Sequence, residues 1–146
     1  ALSDADIEPV SRVFVEQQGG DLAFSPDGSH LAVSYSLLHT GGDAFAALPL
    51  PVEASIWDVN QFFRTEAEND EMIVLIGSYG SRWVAYSSDG SMVFTYGLDV
   101  SPSIWDAQTG ANIIRFASEN ALLILPDSTM IITSNDDGSI TYWGIP

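Results

Sequence analysis

The chain has 146 residues, 46% hydrophobic and 11% aromatic, and its twenty acidic side chains outnumber four arginines to leave a formal charge of −16. That charge opposes binding to a phosphate backbone or an anionic lipid surface, and no apolar run of about 20 residues is present to span a bilayer. With no cysteine, disulfides, thiolate zinc sites and thiol catalysis are excluded, and the compartment is left open.

The acidity suits a basic protein partner, or simply keeps a β-rich chain soluble. No signal peptide precedes the first strand, and a start at Ala1 leaves room for a removed leader or an upstream domain. Val10–Gln17 (VSRVFVEQ) alternates apolar and polar residues, which predicts a strand. Leu22–Gly28 (LAFSPDG) reads as a short strand entering a tight turn, where Pro presets φ, Asp bonds locally and Gly accepts positive φ. A second strand follows over His30–Ser34.

Residues 37–52 are an insertion without strand or helix periodicity, broken by His39, Gly41, Gly42, Asp43, Pro49 and Pro51. A loop displaying large apolar side chains is expected either to meet a partner or to fold onto its own sheet. Leu38, His39, Phe45, Leu48 and Leu50 are therefore the candidate partner-binding residues. Ser55–Asp58 (SIWD) is the third strand. A second insertion, 60–70, is expected to pack Phe62 and Phe63 inward and to solvate Glu66, Glu68 and Asp70. Glu71–Ile76 closes the first unit.

The pattern then recurs. Val84–Gly90 (VAYSSDG), Ser91–Tyr96, Ser103–Asp106 (SIWD) and Ala111–Phe116 make a second unit. Leu122–Ser128 (LLILPDS), Thr129–Ser134 and Ile140–Trp143 (ITYW) make a third that stops after three strands. Asp89 and Trp105 are 16 residues apart, as are Asp127 and Trp143, and Trp105 to Trp143 is 38. The equivalent pair Asp27 and Trp57 is 30 apart, the excess being the first insertion.

A repeat of this length and composition resembles the WD40 family, in which each repeat is a four-stranded antiparallel blade of a β-propeller. The motifs that carry the resemblance are Phe-Ser-Pro-Asp-Gly at 24–28, Ile-Trp-Asp at 56–58 and 104–106, and Asn-Asp-Asp-Gly-Ser-Ile-Thr-Tyr-Trp at 135–143. The blade-motif residues are Asp27, Trp57, Asp58, Asp89, Trp105, Asp106, Asp127 and Trp143. The family's Gly-His dipeptide is absent, with Gly19-Gly20 and Gly80-Ser81 near its places, and Trp143 is followed by Gly144. The family's side-chain network is thus expected not to form in full, leaving the tryptophans as packed aromatics.

The resemblance implies an all-β, WD40-like propeller segment of about three four-stranded blades in a single unit, 1–146. Blade 1 covers about 21–77, blade 2 about 82–117, and blade 3 about 121–146 plus strand 10–17, which is in position to complete it. It also places the first insertion on the top face and the second on the opposite one. Closed propellers have four to eight blades. Completion is therefore expected from a second copy, giving a six-blade dimer, or from a larger assembly.

Catalytic signals are poor. His30 and His39 are the only histidines, and neither sits in a nucleophile elbow or comparable motif. Asn135-Asp136-Asp137-Gly138 clusters oxygen ligands but lacks the remainder of a calcium loop, and reads as a strand-to-strand turn. No cofactor or metal is expected. The leading expectation is a non-enzymatic scaffold or assembly subunit for protein–protein interaction. The alternative is a ligand- or substrate-binding propeller, or a fragment of a larger WD40 protein, with Asp43, Asp99 and Asp136 gathered at a central channel.

Overall fold

The computed structural model describes residues 19–35, 52–60, 72–77, 80–97, 101–117, 119–125 and 130–144. Strand Val10–Gln17, residues 37–51 and 61–70 of the two insertions, and the turn at Asp127 lie outside the described residues.

The described chain is all β. Strands β1 (Gly19–Phe24), β2 (His30–Tyr35), β3 (Val52–Asp58) and β4 (Ile73–Ile76) form one antiparallel sheet in chain order. A second sheet repeats that order with β5 (Trp83–Tyr86), β6 (Met92–Tyr96), β7 (Ser103–Asp106) and β8 (Asn112–Arg115). The third has three strands, β9 (Glu119–Ile124), β10 (Met130–Asn135) and β11 (Ile140–Gly144), with β10 in the middle. These eleven match expected strands, with β1, β3 and β9 each starting three residues earlier than the sequence pattern suggested.

Register is conserved between sheets. Trp57 pairs with Leu31, Trp105 with Val93 and Trp143 with Ile131. Directly opposed residues share a face of an antiparallel sheet, so each tryptophan lies beside an aliphatic residue on the same face of its sheet.

The sheets stack face to face. Ala32, Ala54, Ile56 and Leu75 of the first pack on Val84, Val93 and Trp105 of the second. The opposite face of the second sheet puts Phe94, Ile104 and nearby Phe116 against Ile131 of the third, while the Phe116 and Trp143 rings lie 5.2 Å apart. Every contact between sheets therefore joins unlike faces: the face bearing the tryptophan meets the opposite face of the preceding sheet. The far face of the first sheet holds its own cluster, Val33, Tyr35 and Trp57.

The turns follow from local chemistry. Between β1 and β2, Gly28 adopts φ +71°, and between β5 and β6 Gly90 adopts φ +75°, the region that favours glycine. The turn joining β10 to β11 places Gly138 at φ +81° after Asp136 and Asp137, with Asn135 and Ser139 bonded across it. It is a three-residue hairpin loop, as its sequence predicts.

Candidate functional site

The repeated motif builds two constellations. In the first, Asp27 Oδ1 accepts hydrogen bonds from the Ser25 hydroxyl at 2.6 Å, the Ser29 N–H at 3.0 Å and the Ser29 hydroxyl at 2.8 Å. Asp89 Oδ1 accepts the same three from Ser87 and Ser91 at the same distances. These donors, led by Ser25 and Ser87, hold both carboxyls down to about 2, because hydrogen bonds to the ionised form favour it. Leu125 occupies the place of Ser25 and Ser87 in the third unit and brings no hydroxyl. After β7, Asp106 Oδ1 accepts from the N–H groups of Gln108 and Thr109 and from the Thr109 hydroxyl, which lower its pKa. Asp58 caps the turn after β3 by accepting from Asn60.

The turns of Asp27, Asp89 and Asp106 line a cleft of about 560 Å³ between the first two sheets, with His30, Tyr86 and Gln108 also on its walls. The Tyr86 hydroxyl is buried, has no hydrogen-bond partner among the described residues, and is pushed up to about 12 by burial and then by Asp27. It is a neutral donor. His30 Nδ1 lies 2.7 Å from the Ser29 hydroxyl, whose oxygen also sits 2.8 Å from Asp27. Here the carboxylate contacts the serine rather than the far imidazole nitrogen, which is the reverse of a catalytic triad. No cluster of three metal-ligating side chains occurs among the described residues.

The second constellation crosses between sheets. The Trp105 indole N–H donates to Thr95 Oγ1 at 2.8 Å, Thr95 donates to Glu53 Oε1 at 2.8 Å, and Arg115 closes on Glu53 Oε2 at 2.8 Å. Glu53 is fully buried, whereas Arg115 is 34% exposed and also stands over the Trp105 ring at 5.8 Å. A register shift between Val52 and Ala54 makes Glu53 the extra residue of a β-bulge, which re-aims a side chain. The Ser81 hydroxyl takes up the Glu53 carbonyl at 2.6 Å.

The tryptophans are thus more than packed aromatics. Trp143 donates to Thr133 at 2.8 Å, matching Trp105 and Thr95. In the first sheet Val33 stands where Thr95 would, and Ser55 accepts from Trp57 at 2.7 Å instead, while also bonding the Tyr35 hydroxyl. In the second sheet the hydrogen-bond chain from Trp105 through Thr95 ends on a carboxylate from the neighbouring sheet, a residue that motif reading missed and no local signal announces.

Candidate partner-binding residues Leu38, His39, Phe45, Leu48 and Leu50 lie outside the described residues, as do Asp43 and Asp99. Asp136 is exposed in the β10–β11 turn. Among the described residues, the most open apolar surface lies on the sheets. Leu22 and Phe24 of β1 are each 63% exposed, and Leu123, Ile140 and Tyr142 of the third sheet are 60–65% exposed. No protein-family model matches the chain, and no curated protein matches it.

Proposed function

We propose that this chain is a segment of a WD40-like β-propeller that acts as a non-enzymatic interaction scaffold, its three sheets serving as successive blades of a ring completed by a protein partner. One observation carries the reading: positions buried between sheets inside the chain recur, exposed, at both ends of the stack. Val84 is buried and Tyr86 half-buried against the first sheet, yet their counterparts Leu22 and Phe24 are open. Ile104 is buried against the third sheet, yet its counterpart Tyr142 is open. Apolar faces of this kind mark contact surfaces.

Electron microscopy of the native assembly tests the reading. A disc of radial blades around a channel is expected, and particles without one would end it. Deleting residues 38–51 is expected to cost partner capture while the circular dichroism of the sheets persists. An unchanged assembly would remove the first insertion from the interface. A second reading, a ligand-binding propeller, draws on the cleft with ionised Asp27 and Asp89 beside neutral Tyr86. Its carboxylates are committed to their own turns, which favours the scaffold.

A further inference from the structure

Resting on the propeller reading, we infer that the occupant of each open end face is the opposite end face of a second copy of this chain, joined head to tail. One end face belongs to the first sheet. Leu22 pairs with Val33 and Phe24 with Leu31, so all four share the face that carries Trp57. Val33 and Trp57 are already buried, and the open part is the β1 row. The other belongs to the third sheet, where Ile132 pairs with both Leu123 and Tyr142. That register places the three together on the face turned away from Ile131 and the second sheet.

Within the chain, Ala23 of β1 belongs to the same packed cluster between the first two sheets as Val84 and Tyr86 of β5. Leu123 is the repeat counterpart of Ala23, and Leu22 and Phe24 are the counterparts of Val84 and Tyr86. The two end faces are therefore the two halves of a contact that the chain already makes between its own sheets. A like-face pairing, Leu22 and Phe24 against their own copies, reproduces no contact found among the described residues.

Two copies with a formal charge of −16 each repel, so a contact between them has to rest on surface that carries no charge. Leu22, Phe24, Leu31 and Val33 on one face, and Leu123, Ile132 and Tyr142 on the other, include no charged side chain. Unlike-face contacts on each of two copies close into a ring when the rotation matches, and six sheets fall within the four to eight of closed propellers.

The test uses two double variants, L22E/F24E on one face and L123E/Y142E on the other, with Ile113→Glu on β8 as a control. All five positions are at least half exposed, and retained near-ultraviolet circular dichroism verifies folding. Light scattering of the unaltered chain and of the control is expected to read twice the mass of one chain. Each double variant alone is expected to read one chain. An equimolar mixture of the two is expected to return a two-chain particle, because it restores one intact pair of unlike faces.

A folded one-chain particle for the unaltered protein would overturn the inference. So would a double variant that stays paired alone, or a mixture that does not pair. A one-chain particle that still enters a disc with blades from another protein would remove the second copy as occupant and leave the propeller reading standing.

Discussion

Thr95 on β6 donates a hydrogen bond of 2.8 Å to Oε1 of Glu53 on β3, joining two sheets through a carboxylate with no exposed surface. The other oxygen of that carboxylate is held by Arg115, one of four basic residues in a chain with twenty acidic ones. A buried charge that loses its partner is costly, typically by about 3–5 kcal/mol. Because Arg115 is one-third exposed, water screens part of the loss. Arg115→Leu is expected to destabilise the fold by about 2–3 kcal/mol, read as a lowered urea midpoint at unchanged slope.

Thr95 both accepts from Trp105 and donates to Glu53. Thr95→Val preserves shape and strands the buried indole N–H, so a loss of about 1–3 kcal/mol is expected. The indole proton of Trp105 should move in a nuclear magnetic resonance spectrum, while that of Trp57, served by Ser55, should not.

Gly77 has no room for a methyl group. A Cβ there would run into the Glu53 carboxylate and the Arg115 guanidinium and would come within 2.9 Å of the Trp105 ring. Gly77→Ala is expected to cost about 1–3 kcal/mol, the usual range for overpacking. Its effect should be non-additive with Arg115→Leu in a double-mutant cycle, since the two act on one cluster. Additive losses would show that Gly77 acts elsewhere.

The turn carboxylates predict an acid limb. Asp27 and Asp89 sit at about 2 in the folded chain against an ordinary value of 3.8. A depressed folded value contributes stability that is complete above the unfolded pKa and is lost as pH falls through the folded one. Urea midpoints are therefore expected to decline from about pH 4 towards pH 2. The double variant D27N/D89N should flatten that decline, and an unchanged slope would assign the acid limb to other groups.

Tyr86 supplies the opposite case. Its hydroxyl is buried without a partner among the described residues, and an unmet polar group of that kind costs about 1–3 kcal/mol. Tyr86→Phe is expected to leave stability unchanged or raise it by about 1 kcal/mol in thermal melts.

Much of the fold was legible because its signals are local. Alternation marks strands, and Ser25, Asp27, Gly28 and Ser29 close a turn among themselves, so four neighbouring letters suffice to read it. The recurring 16-residue interval from Asp89 to Trp105 and from Asp127 to Trp143 set out the strand order for the same reason. Glu53 was not legible. In the sequence it is one of twenty acids before a strand, and its burial depends on a bulge opposite Ile76 and Leu75 and on an arginine 62 residues away.

By itself, then, the sequence determined the order and antiparallel pairing of the eleven described strands, since hydrogen bonding between near neighbours and a period of two are written residue by residue. Only the tertiary structure decided which faces are buried and which are open. Leu22 and Phe24 read like Val84 and Tyr86, yet the first pair is exposed and the second packs on a neighbouring sheet. Burial belongs to what lies across a face, and that is settled by stacking whole sheets.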